Sequence, residues 1–132
     1  MKTQFFIIFN LFLFTFQIKA DNYPKNPGID ILHYNFQLTL SDNVDAIKGK
    51  ATINILFKVE NIKEVRLDLI NKNDNLDGKG MSVSEIIWKD QKLEYFHLND
   101  VLTIHLENPS SVNEEISIII DYYGVPITGL KI

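Results

Sequence analysis

Between Ile31 and Leu40 the residues Leu32, Tyr34, Phe36, Leu38 and Leu40 alternate with His33, Asn35, Gln37 and Thr39. Successive side chains of a strand point to opposite faces, so this stretch predicts a strand with one buried apolar face. The alternation returns from Lys50 to Val59, with Ala51, Ile53, Ile55, Phe57 and Val59 inward. The polar segment from Ser41 to Lys48, which carries Asp42, Asn43 and Asp45, predicts a loop closing an antiparallel hairpin.

Glu64 to Ile70 sets Val65, Leu67 and Leu69 against Glu64, Arg66 and Asp68, a half-exposed third strand. Asn71 to Gly80 is turn chemistry throughout. A less regular strand from Ser82 to Lys89 holds Val83, Ile86, Ile87 and Trp88; Leu93–Leu98 and Val101–Leu106 follow, parted by the turn residues Asn99 and Asp100. A meander is the simplest connection. After the loop 108–113, Ile118, Ile119 and Ile120 run together within Ile116–Tyr123, which predicts a strand covered on both faces. No segment keeps a helical period over three turns. The fold class is therefore all-β: an antiparallel, saddle-like curved sheet or sandwich of about seven to eight strands.

The first twenty residues stand outside this pattern. Lys2 precedes an apolar run from Phe5 to Phe16 that ends in the short polar segment Gln17–Ala20, the pattern of a secretory signal peptide cleaved between Ala20 and Asp21. A membrane span needs roughly 20 predominantly apolar residues, and this run is shorter and broken by Asn10, so no stable span is expected after cleavage. The reading divides the chain into a signal peptide at 1–20, an extended lead at 21–28 with Pro24, Pro27 and Gly28, and a β-domain at 29–132. Export to a periplasmic or extracellular compartment follows.

Charge and composition narrow the partners. The chain has a formal net charge of −4, its basic residues are scattered, and Arg66 is its only arginine, so nucleic acid is not expected as a partner. With no cysteine, neither a disulfide nor a thiolate metal site is available. Packing alone must hold so small a domain, and docking on a larger body would help it.

No constellation for chemistry emerges. His33, His97 and His105 lie in separate strands, without the H-E-x-x-H spacing that presents two zinc ligands on one helix face. Glu114 and Glu115 are neighbours on a strand start and so point apart. Asn73, Asn75, Asp77 and Gly78 copy the first half of a calcium loop, but Ser84 stands where a bidentate glutamate belongs, and a plain Asn/Asp turn is the simpler reading. Pro109 disqualifies Asn108-Pro109-Ser110 as a glycosylation acceptor. The aromatics Tyr23, Trp88, Tyr95, Phe96, Tyr122 and Tyr123 suggest a glycan or peptide platform, with Trp88, Tyr95 and Tyr123 as its candidate binding residues. No catalytic or metal-ligating residue is assigned, and no cofactor is expected in this chain.

The order of several short motifs is more informative than any one of them. Asp30-Ile31-Leu32-His33-Tyr34, Lys48-Gly49-Lys50-Ala51-Thr52-Ile53, Val65-Arg66-Leu67-Asp68-Leu69 and the closing Ile120-Asp121-Tyr122-Tyr123-Gly124-Val125-Pro126 with Gly129-Leu130 resemble the N-terminal domain of the aminopeptidase N family of zinc metallopeptidases. The resemblance covers nearly all of 29–132. It implies a saddle-like β-domain that packs on a thermolysin-like catalytic domain and helps wall the cavity in which peptide substrates lose their N-terminal residues. The zinc ligands and catalytic groups of that family belong to the catalytic domain, so this chain is expected to be inactive alone. Its close at Leu130-Lys131-Ile132, with no polar tail, is read as truncation ahead of a catalytic domain missing in cis. The alternative is a free-standing secreted β-sandwich module that binds glycan or peptide.

Overall fold

The structure, a computed structural model, describes residues 26–127. The Ala20–Asp21 cleavage site, the Tyr23 aromatic and the Gly129-Leu130 motif lie outside the described residues.

Eight strands form two sheets: β1 (Ile29–Ser41), β2 (Val44–Phe57), β3 (Glu64–Asp68), β4 (Gly80–Trp88), β5 (Gln91–Lys92), β6 (Tyr95–Leu98), β7 (Val101–His105) and β8 (Glu115–Val125). The larger sheet has the order β1-β2-β8-β4-β5 and the smaller one β3-β7-β6, with every ladder antiparallel. The expected all-β architecture is present, but the connection is not a simple meander, because β8 returns to lie between β2 and β4.

The strand pattern explains the core. On β2 the odd positions Ala51, Ile53, Ile55 and Phe57 are buried, and on β8 Ile116, Ile118 and Ile120 pair with that face. Ile86 of β4 joins them, and Val65, Leu102 and Ile104 of the smaller sheet close the layer from the other side. The even positions of β2 and the odd ones of β8 form the outer face. It is polar, with Lys50 Nζ 3.5 Å from Asp121 Oδ2 and the Ser117 hydroxyl donating to Asn54 Oδ1 at 2.9 Å.

Several sequence expectations need correction. The loop foreseen at Ser41–Lys48 shrinks to Asp42 and Asn43, because both strands continue toward the turn across a register shift, with Thr39 opposite Lys48 and Ser41 opposite Val44. Leu93–Leu98 is not one strand. Leu93 N–H still bonds Ile86 in the larger sheet, while Glu94 accepts from His105 N–H in the smaller, so the chain changes sheets between these two residues. The irregular pattern of β4 has its cause in a register shift between Val83 and Glu85, which keeps Val83 opposite Tyr122 and Ile86 opposite Ile120. β8 is not covered on both faces: Ile119 is only half-buried, and Ser117 and Tyr123 beside it are exposed. Val59, expected inward, lies beyond the end of β2 and is exposed.

Turn chemistry behaves as read. Asn99 and Asp100 both adopt left-handed conformations, as a two-residue hairpin turn requires. In the 71–80 loop, Asn73 Oδ1 accepts Asn75 N–H at 2.9 Å and Asp77 is left-handed, which gives these residues a local turn role.

Candidate functional site

The largest departure from expectation lies on β1. Its strand forms, yet the apolar row that should be buried is bare: Phe36 is 57% exposed and Leu38 53%, and Leu32, Tyr34 and Leu40 are comparably exposed. Register shows that the face itself is the right one. Tyr34 pairs with Ile53, Phe36 with Ala51 and Leu38 with Gly49, all on the core-facing side of β2. A bulge at Leu32, between Ile31 and His33, shifts the core-facing positions from Ile29 and Ile31 to Tyr34, Phe36 and Leu38. The small second sheet has only three strands and does not reach across to β1. Alternation thus reported which way the side chains point, not whether anything lies above them.

Beside this row lies a groove of about 250 Å³. Its floor includes Ala51, Ile53 and Ile120, and its sides include Tyr34 and Phe36 from β1 and Leu67, Leu69 and Leu102 from the smaller sheet. The Tyr34 and Phe36 rings stack with centroids 5.7 Å apart and planes 7° apart. At the far end the Tyr122 ring lies over Gly49, and burial pushes its phenol above the ordinary tyrosine range. The small Ala51 leaves room in the trough, and large residues on the flanking strands wall it. Such a surface can receive apolar side chains from another body. Contiguous bare apolar surface of this kind marks an interaction site more often than a free surface.

The residues singled out from sequence do not converge. Trp88 ends β4 and packs on the core, with Lys89 Nζ 4.4 Å from its ring centroid. Tyr95 also packs on the core and donates its hydroxyl to Val83 C=O at 2.8 Å. Tyr123 is exposed on the outer face of β8, opposite to the core-facing Tyr122. Trp88 and Tyr95 are thus partly buried against the core cluster, whereas Tyr123 faces outward. The histidines are equally dispersed: His33 is exposed on β1, His97 Nε2 donates to Leu69 C=O at 2.7 Å, and His105 Nδ1 lies 3.1 Å from Glu64 Oε1. Glu114 caps a turn by accepting Ser111 N–H at 2.9 Å. Among the described residues no three His, Cys, Asp or Glu side chains come together to hold a metal ion. These residues do not fit a zinc site, so no chemical step can be derived through one here. Among them, too, no helix is long and apolar enough to cross a membrane.

No family model matches the sequence, and no curated protein matches it. Solved structures do. An M1 zinc metallopeptidase variant from Deinococcus radiodurans, bound to the substrate Tyr-Ser-Ala, is similar over 76% of this chain and 21% of its own, at 22% identity and a TM-score of 0.62. A two-domain M1 zinc metallopeptidase variant bound to L-arginine is similar over 80% of this chain and 22% of its own, at 20% identity and a TM-score of 0.64. The same enzyme type bound to L-tryptophan gives 22% identity and a TM-score of 0.63. The chain thus spans about a fifth of the length of these M1 zinc metallopeptidases and shares the fold of that portion of them.

Proposed function

We propose that this chain is a non-catalytic β-domain of an exported zinc aminopeptidase-like protein, which packs on a metallopeptidase domain and helps line its substrate cavity. The observation that carries the proposal is the bare row Tyr34, Phe36 and Leu38 beside the apolar groove, in a fold shared with M1 zinc metallopeptidases. A lone domain gains nothing from presenting that row to water, whereas burial of each such side chain against a neighbour contributes ~1.5–3 kcal/mol. Zinc and the groups that activate water belong to the neighbour in this reading. The contribution of this chain is shape, a rigid apolar wall and the exclusion of water.

Two measurements test the reading. The chain supplied with zinc should not hydrolyse aminoacyl anilides, and turnover would overturn the assignment of chemistry to another domain. Joined in cis to an M1 metallopeptidase domain, it should show Tyr34 and Phe36 shielded from hydroxyl-radical oxidation. Unchanged oxidation would contradict docking through this face.

A further inference from the structure

The free edge of β1 carries an inference separate from that of its apolar face. Strand edges present unpaired N–H and C=O groups, and proteins blunt them with short strands, charges, prolines or bulges. Three edges here follow that rule. β5 has two residues, one of them Lys92; β6 has four; and β3 carries Glu64, Arg66 and Asp68. β1 does so only near its ends. Among the described residues it is the outermost strand of the larger sheet and runs 13 residues, with Asp30 and the bulge at Leu32 near one end and a register shift between Thr39 and Ser41 at the other, leaving His33–Thr39 regular and uncharged between them. From Ile31 to Ser41 it holds no Lys, Arg, Asp, Glu, Pro or Gly.

We propose that β1 pairs edge to edge with β1 of a second copy of this chain, in antiparallel register centred on Phe36, joining the two larger sheets into one. The sequence of the strand is self-complementary about that residue. Within the regular stretch His33–Thr39, Phe36 meets Phe36 of the second copy and Tyr34 meets its Leu38, while on the other face Asn35 meets its Gln37. Apolar and aromatic cross-strand pairs and paired amides are favourable contacts in a sheet. Charge does not oppose a like partner at this edge. The chain has a formal net charge of −4, so two copies repel in general, but the uncharged stretch from Ile31 to Ser41 brings no like charges together. A two-fold contact of this kind closes on itself as a dimer rather than extending into a fibre. Its main-chain hydrogen bonds use the edge of β1, while its side-chain contacts extend the row Tyr34, Phe36 and Leu38, so the test is placed on the opposite face, at Asn35 and Gln37.

Sedimentation equilibrium of the full chain tests it. Asn35 and Gln37 are exposed and point away from the core face, so Asn35→Lys with Gln37→Lys places like charges opposite one another across the two-fold axis; Gln37 also lies opposite Lys50 of β2, so the folding of the variant is checked by the mixing experiment. The unsubstituted chain should dimerise, and the double variant should dissociate about tenfold more readily. Mixing it with the Asn35→Glu, Gln37→Glu variant should restore a one-to-one heterodimer, which also shows that both variants are folded. A monomer at every concentration overturns the proposal, as does association unmoved by the lysine pair or a mixture that fails to pair.

Discussion

The ring of Tyr122 fills the space in which a side chain at Gly49 would lie, across the β2–β8 ladder. Tyr122 also lines the apolar groove beside β1. Ala in place of Gly within a strand ordinarily stabilises by ~0.5–1 kcal/mol. Here Gly49→Ala should instead cost about 1–3 kcal/mol, because the ring must be displaced. In a Tyr122→Ala background the same substitution should be neutral or stabilising. Urea unfolding of the four variants measures the coupling directly, and an additive result would show that the two residues do not meet.

Ser110 is the buried polar anchor of the loops at the opposite end. Its hydroxyl accepts Ile62 N–H at 3.0 Å and donates to Val59 C=O at 3.1 Å, while its own backbone bonds Asn61 and Ile62. Ser110→Ala strands both backbone groups in a buried site, so a loss of ~1–3 kcal/mol is expected in unfolding experiments. Ser110→Thr, which keeps the hydroxyl, should lose less.

Gly80 has φ of 112°, and a Cβ there would collide with the backbone of Asn71 and Lys72. Neither the backbone conformation nor the neighbour can yield cheaply. Gly80→Ala should therefore destabilise the chain by about 2 kcal/mol or more, through the 71–80 loop that closes on Met81. Gly78→Ala, where only the Lys72 side chain is near, should cost less, and thermal unfolding of the two variants side by side ranks them.

Burial raises the Tyr122 phenol above its ordinary value, so the fold favours the neutral form. The stabilisation this implies is complete below the ordinary tyrosine value of about 10 and fades as pH rises through the higher folded value. Unfolding midpoints should fall in alkaline buffer, and Tyr122→Phe should lessen that fall while leaving the neutral-pH midpoint nearly in place. Parallel pH profiles for the two proteins would contradict this.

How much of this was legible in the residues alone depended on the kind of question. Alternation placed Ala51, Ile53, Ile55 and Phe57 inward, and Asn99-Asp100 announced its hairpin, because both depend on local backbone geometry. The resemblance of the short motifs in 29–132 pointed to the zinc metallopeptidase fold that the solved structures share. What local pattern cannot carry is the extent of the second layer. Tyr34, Phe36 and Leu38 have the pattern of buried residues, and three strands prove too few to cover them. The run of Ile118, Ile119 and Ile120 suggested a missing layer over β8, whereas the uncovered surface is at β1. Trp88 and Tyr95 were drawn into a candidate platform by composition, and packing on the core accounts for both. The groove itself had a faint signal in Ala51, a small residue among the bulky inward positions of β2, whereas Gly49 reflects the Tyr122 ring packed against it.

The account rests on β1 presenting an apolar face that the other described residues leave bare. Titration of the folded chain with a hydrophobic fluorescent dye, compared with the Phe36→Ser, Leu38→Ser variant, tests that most directly when paired with urea unfolding. The account predicts dye binding that the double substitution reduces severalfold, with stability changed by no more than ~0.5 kcal/mol per exposed site. Equal dye binding by both proteins, or a stability loss of the ~2–5 kcal/mol typical of core truncations, would mean that the face is already buried and would contradict it.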